Sequence, residues 1–189
     1  WIGLLYYFNF VQTEYFKDSE PSAKSDVVQK LVPNALWYFR WAAAFTFLTG
    51  LYLLYWLSIT VNIGIVLGSL MGTLMAANVW FVIWPNQKKV IAGAPDAADA
   101  GAKAGLASRT NTLFSLPMLY LMVFSAHGGS LPMIAATDMT GLWVGIAIIV
   151  LIEANALFGK MNPLITSVKA VIHSGLLLTL VFGILVHYL

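Results

Sequence analysis

Three histidines, two arginines and a glutamate are the side chains here with the most chemistry to offer. His127 closes one apolar run, and His173 and His187 share the last one. The latter pair is 14 residues apart, which on a helix is a rise of about 21 Å and nearly the same face. Imidazoles so placed suit axial ligation of two stacked haems. His127 and His187 lie toward the same end of their runs, so together they could ligate the iron of one haem b. His173 lies deeper and has no histidine partner, so a haem there needs a non-histidine ligand or another chain. The plainer reading is equally open: a histidine ending a membrane helix is often only an interfacial residue. The histidines are too dispersed for a zinc cluster. With no cysteine, thiolate ligation, disulfides and CxxCH attachment are excluded within these residues.

Arg40, Arg109 and Glu153 are the candidate catalytic residues, with Asn78 and Asn155 as further polar positions in apolar runs. A charge in hydrocarbon is costly by several kcal/mol, roughly 3 on insertion scales. The arginines lie near helix starts, where they either snorkel to the headgroups or hold an anion such as a propionate or substrate. Glu153 is expected to be neutral, to pair with an Arg or Lys169, or to serve a proton path. No phosphate-binding glycine loop occurs, and no serine is placed for a triad.

The elements that must position these groups are membrane helices. The chain of 189 residues is 60 % hydrophobic and 10 % charged, and its mean hydropathy is +0.81. Soluble domains carry about 25 % charge. The expected fold is all-α, a polytopic membrane bundle of about six helices over a single domain, 1–189. The runs are Trp1–Thr13, Asn34–Ser58, Thr60–Trp84, Arg109–His127, Thr140–Phe158 and Pro163–Leu189. Each but the first approaches the roughly 20 residues a span needs. The first reads as the later part of a longer helix, and the chain as a piece cut at both ends. Residues 14–33 and 85–108 are expected to be polar loops, the second with a short Ala-rich surface helix after Pro95. Ser58–Asn62 and Gly159–Asn162 read as tight turns and Gly128–Met139 as a loop.

Threaded through a bilayer in that order, the helices bring all ten Lys and Arg to one side. Positive loops stay cytoplasmic, so 14–33 and 85–108 are placed in the cytoplasm and both chain ends outside, toward a periplasm or the cell exterior. Gly64, Gly68, Gly72 and Ala76 form a small-residue stripe suited to close helix packing. Pro117 falls inside the fourth run, where it removes a backbone donor and can bend the helix.

Four segments together resemble a known family: GLLYYFNFVQ (3–12), ALWYFRWAAAFTFLTG (35–50), NVWFVIWPNQKKVI (78–91) and ASRTNTLFSLPMLYLMVFSAHG (107–128). They resemble the membrane domain of the bacterial membrane-bound, cytochrome c-linked urate oxidase. The first two thirds of the chain match well, and the part from Gly141 only loosely. The resemblance implies oxidation of urate with electrons passed to a c-type cytochrome. It makes Arg40, Arg109 and His127, which lie inside matching segments, the first site candidates. The family domain is expected to have about eight helices, so a six-helix chain departs from it.

Three functions compete at this point. The first is a membrane redox protein carrying haem b and moving electrons from a small reductant or quinol toward an outer cytochrome c. The second is a cofactor-free accessory subunit of a larger respiratory or photosynthetic complex, its glycine face packed on other chains. The third, a solute transporter, needs broken helices and a polar midplane site, for which Pro117 and Glu153 give little. The small net charge of +2 and the lack of a basic stripe exclude nucleic acid as a partner.

Overall fold

The computed structural model describes residues 1–56, 61–127 and 139–188. The expected loop Gly128–Met139, apart from Met139 itself, and most of the turn Ser58–Asn62 lie outside these residues. Within them the chain is all-helical, with no strand. It begins with α1 (Ile2–Tyr6), a π-helical segment π1 (Tyr7–Gln12) and α2 (Thr13–Asp18), then α3 (Pro21–Lys30) and α4 (Val32–Trp56). There follow α5 (Ile63–Ala77), a second π segment π2 (Asn78–Ile83) and α6 (Trp84–Ile91) as one continuous helical run, then α7 (Ala97–His127), α8 (Thr140–Phe158) and α9 (Val168–Tyr188).

Contacts along these helices fix their directions. Tyr6 meets Ser115 and Asn9 meets Ser108, so the first run is antiparallel to α7. Gly68 lies against Met122 and Asn78 against Asn111, so the α5–π2 run is antiparallel to α7 as well. Gly145 approaches Leu67 and Glu153 meets Asn78, which makes α8 parallel to α5. Gly175 approaches Leu116 and His187 stacks edge-on against Phe124, which makes α9 parallel to α7. Arg40 covers Trp84, while Leu54 and Ile65 line one cleft, so α4 opposes α5. The long runs thus alternate in direction, with α7 touched by nearly all the others.

Three of the runs are long and apolar enough to cross a bilayer by length and composition: Ile63–Ile91, Thr140–Phe158 and Val168–Tyr188. The distribution of residues is inverted relative to a water-soluble protein. Asn78, Arg109, Asn111 and Glu153 are buried, while Phe81 is 79 % and Leu151 71 % exposed. Apolar surface of that extent is stable against lipid and unstable against water. The inward face of α4 is a helical series, Val32, Leu36, Phe39 and Ala43, and no residue after Ala43 is buried on that helix.

Several boundaries differ from the expectation. Residues 14–33 are largely helix: α2 completes the first run, and α3 starts at Pro21, where a proline lacks nothing the first turn needs. The expected loop 85–108 shrinks to residues 92–96. Pro85 does not end its helix because the wide π2 turn comes just before it, which relieves the clash with the preceding turn. The Ala-rich stretch is no separate surface helix but the first turns of α7, with Ala100 and Ala104 buried and Gly101 facing Val90 of α6. The last helix starts at Val168 rather than Pro163. Asn162 holds the preceding turn by accepting Leu164 N at 3.0 Å and Thr166 Oγ1 at 2.7 Å, and Ser167 Oγ caps α9 by accepting Ala170 N at 3.0 Å. Pro117 deprives the Leu113 carbonyl of its helical donor. Gly175 of α9 lies beside that carbonyl, against Leu116.

Candidate functional site

Both π segments carry a buried asparagine, Asn9 in π1 and Asn78 at the start of π2. A π turn swings one residue out of α-helical phase and recurs at functional positions. Here it turns each amide into the bundle. Asn78 Nδ2 donates to Asn111 Oδ1 at 3.0 Å and to Glu153 Oε2 at 3.2 Å, using both its protons. Asn111 Nδ2 donates in turn to the Met75 carbonyl at 2.9 Å. Asn111 is fully buried and Glu153 8 % exposed. One network therefore ties α5, π2, α7 and α8 together and ends on a carboxyl group.

A second chain of bonds joins the first run to α7. Asn9 Nδ2 donates to Leu5 O at 2.9 Å and Ser108 Oγ at 2.8 Å, and Tyr6 Oη and Ser115 Oγ are 2.8 Å apart. Thr112 Oγ1 donates to Ser108 O, and Ser115 Oγ to Thr112 O.

The arginines occupy two different settings. The Arg40 guanidinium lies 4.0 Å from the Trp84 ring centre, with Trp80 and Trp41 at 5.2 and 5.7 Å. It is held by cation–π attraction, and its Nε is buried without a hydrogen-bond partner. Arg109 is 4 % exposed, and its Nη1 is likewise buried and unpartnered. Glu14 supplies an opposing charge to it. Neither arginine pairs with Glu153. Of the three alternatives for Glu153, the ion pair is not formed among the described residues: the carboxyl group accepts from the Asn78 amide instead, and the ion pairs that do occur there, Lys17–Glu14, Lys30–Asp26 and Lys89–Asp96, are all at the surface.

All three histidines are exposed on the bundle. His187 packs edge-on against Phe124, 4.8 Å between centres, and His127 lies one turn beyond Phe124, so these two do share one end of the bundle. His173 stands apart, about four turns lower on α9. A bis-histidine haem needs both rings facing one slot between helices. Neither of the two clefts lined by α4, α5 and α7 or by α7, α8 and α9 has a histidine on its wall. Among the described residues no cluster of three or more His, Asp or Glu could hold a metal. The three histidines, all among the described residues, therefore do not enclose a slot for a haem between the helices.

Glu153 and Asn78, both visible as polar residues in apolar runs, are brought together. Asn155 is not, since it borders a cleft on another face of α8. Asn111, Asn9, Tyr6 and Ser115 were missed. Their signal was present: Ser108, Asn111, Thr112 and Ser115 recur at helical spacing, the pattern of a polar stripe on one face of a helix.

No curated protein and no solved structure gives a significant match to this chain. Residues 60–185 match the family described as Urate oxidase N-terminal. That segment includes the part beyond Gly141, where the resemblance is loose, and carries Asn78, Arg109, Asn111, Glu153 and two of the three histidines, His127 and His173; His187 lies just past its end. With two thirds of its length matched, the chain belongs to the urate oxidase N-terminal family.

Proposed function

We propose that this chain is the membrane-embedded part of an oxidoreductase of the urate oxidase type. It sits in a bacterial inner membrane with its basic loops in the cytoplasm, and electrons leave toward a c-type cytochrome on the outer side. Glu153 takes up a proton released as the substrate is oxidised. Asn78 and Asn111 hold its carboxyl group in place, and Arg109, with a buried N–H to spare, attracts the anionic substrate. The observation that carries this reading is a carboxyl group hydrogen-bonded by a neutral amide within apolar helices, in a chain of this family. A buried ionisable group in a membrane helix is expensive to keep and is a functional residue by default.

The test is urate-dependent reduction of a c-type cytochrome by membranes holding the whole protein. Glu153→Gln should lower the rate at least tenfold while the purified protein stays monodisperse. An unchanged rate would overturn the role of Glu153, and no urate-dependent reduction in the wild type would overturn the activity.

A second reading, a cofactor-free accessory subunit, is favoured by the exposed histidines and by the unburied later half of α4, with Phe45, Tyr52 and Tyr55 exposed. A reduced-minus-oxidised visible spectrum separates the two. A haem b band would count for the redox protein, with ligands at the bundle edge. A blank spectrum together with co-purifying membrane subunits would count for the accessory role.

A further inference from the structure

Between α7, α8 and α9 lies a cavity of about 460 Å³, within the size range of small-molecule sites. Its walls are mostly aliphatic, and no charged residue lines it. Its polar groups are Thr110, Asn155, Asn162 and Ser174. Two of these are already committed: Asn162 Oδ1 accepts Leu164 N, and Ser174 Oγ donates to Leu164 O at 2.8 Å. Thr110 is different. It is 1 % exposed, and its hydroxyl has no hydrogen-bond partner, not even a carbonyl of its own helix. A buried hydroxyl left unpaired is unfavourable by roughly 1–3 kcal/mol, so its position on a cavity wall calls for a ligand.

The chemistry of the walls selects that ligand. A phosphate or carboxylate head would enter an uncharged site with no counter-charge. A plain acyl chain would leave Thr110 as unpaired as before. A neutral ring with oxygens that accept or donate hydrogen bonds suits a hydroxyl and an amide, both of which can do either. Leu151 and Leu177, exposed among the lining residues, give an apolar tail a way out along the bundle surface. We propose that this cavity binds the head of a lipid-soluble quinone or quinol, with Thr110 as its hydrogen-bond partner and Asn155 beside it. The site is independent of the role given above to Glu153.

The probe is an azidoquinone photolabel on the purified protein, competed with decylubiquinone or with a decyl chain lacking the ring. Label should map to peptides of α7, α8 and α9 that line the cavity, and decylubiquinone should displace it. Thr110→Val, which keeps the shape and removes the hydroxyl, should weaken competition about five- to tenfold. Leu178→Trp should fill the cavity and abolish labelling; should that variant fail to fold, Thr110→Val still decides. Equal displacement by the decyl chain means a lipid-tail site and overturns the proposal, as does labelling elsewhere or unchanged competition in Thr110→Val.

Discussion

The contact between α5 and α7 has two halves built on opposite principles. In the first, Gly68 and Gly72 face Met118 and Met122, and the helices meet through close apolar packing. In the second, one to two turns further along α5, Met75 O and Asn78 meet Asn111 through hydrogen bonds that continue to Glu153. Lipid tails are as apolar as the side chains they touch, so burial itself gives a membrane helix little reason to leave lipid for another helix. The glycine half relies on how near the backbones can come, a property that tolerates small changes. The polar half relies on donors and acceptors whose alternative is to stand unpaired in hydrocarbon. The first supplies proximity, and the second fixes register and rotation.

Breaking the polar half should have the larger effect. Asn78→Leu removes the donor to both Asn111 and Glu153. Unfolding of the purified protein from detergent into SDS should show a loss of about 3 kcal/mol. The double variant Asn78→Leu with Glu153→Leu should recover a good part of it, because removing both partners leaves less unpaired. A single-variant loss below about 1 kcal/mol would mean that the network adds little to stability.

The glycine half makes a graded prediction. A Cβ at Gly68 would come 3.1 Å from Met122 Cγ and 3.5 Å from the Met118 carbonyl. At Gly72 the nearest atoms are two flexible methionine ends at 3.4 Å. Gly68→Leu should therefore destabilise by about 2 kcal/mol through overpacking, and Gly72→Ala by under about 0.5 kcal/mol in the same assay. Equal effects at the two positions would show that helix approach is not what limits this half.

The two halves also differed in how far the sequence disclosed them. The four-residue glycine spacing in α5 announces a packing face because it is local and needs no knowledge of the partner. Glu153 and Asn78 were visible as anomalies, yet their partnership was not, since 75 residues separate them and the sequence favours a charged partner over an amide. The π segments were hidden because composition carries no sign of a one-residue change in helical phase. That phase change is what turns Asn78 inward and lets Pro85 lie in a continuing helix, so the helix boundary near Trp84 was misplaced for the same reason. The histidines were aligned correctly along their helices by periodicity. Periodicity does not say whether a face looks inward, and these faces look out.

The smallest expected effect lies outside the bundle, where α6 gives way to α7, and it serves as a control on the comparison. Lys89 Nζ donates to Asp96 Oδ2 at 2.6 Å, with both side chains about half exposed. This hydrogen bond, followed by the charges of Lys89 and Lys103, holds the Asp96 carboxyl below its ordinary value. A carboxylate lowered on folding contributes stability above its unfolded pKa and loses it as pH falls through the lowered folded value. For a water-exposed pair that contribution is small and is screened by salt. NMR titration of Asp96 should give a midpoint below that of a free aspartate, moving up toward it in Lys89→Ala, while unfolding near neutral pH barely changes. Should Lys89→Ala instead destabilise as much as Asn78→Leu, the five-residue link between α6 and α7 would rival the interior network in holding these helices together, and the contrast between buried and exposed polar contacts would fail.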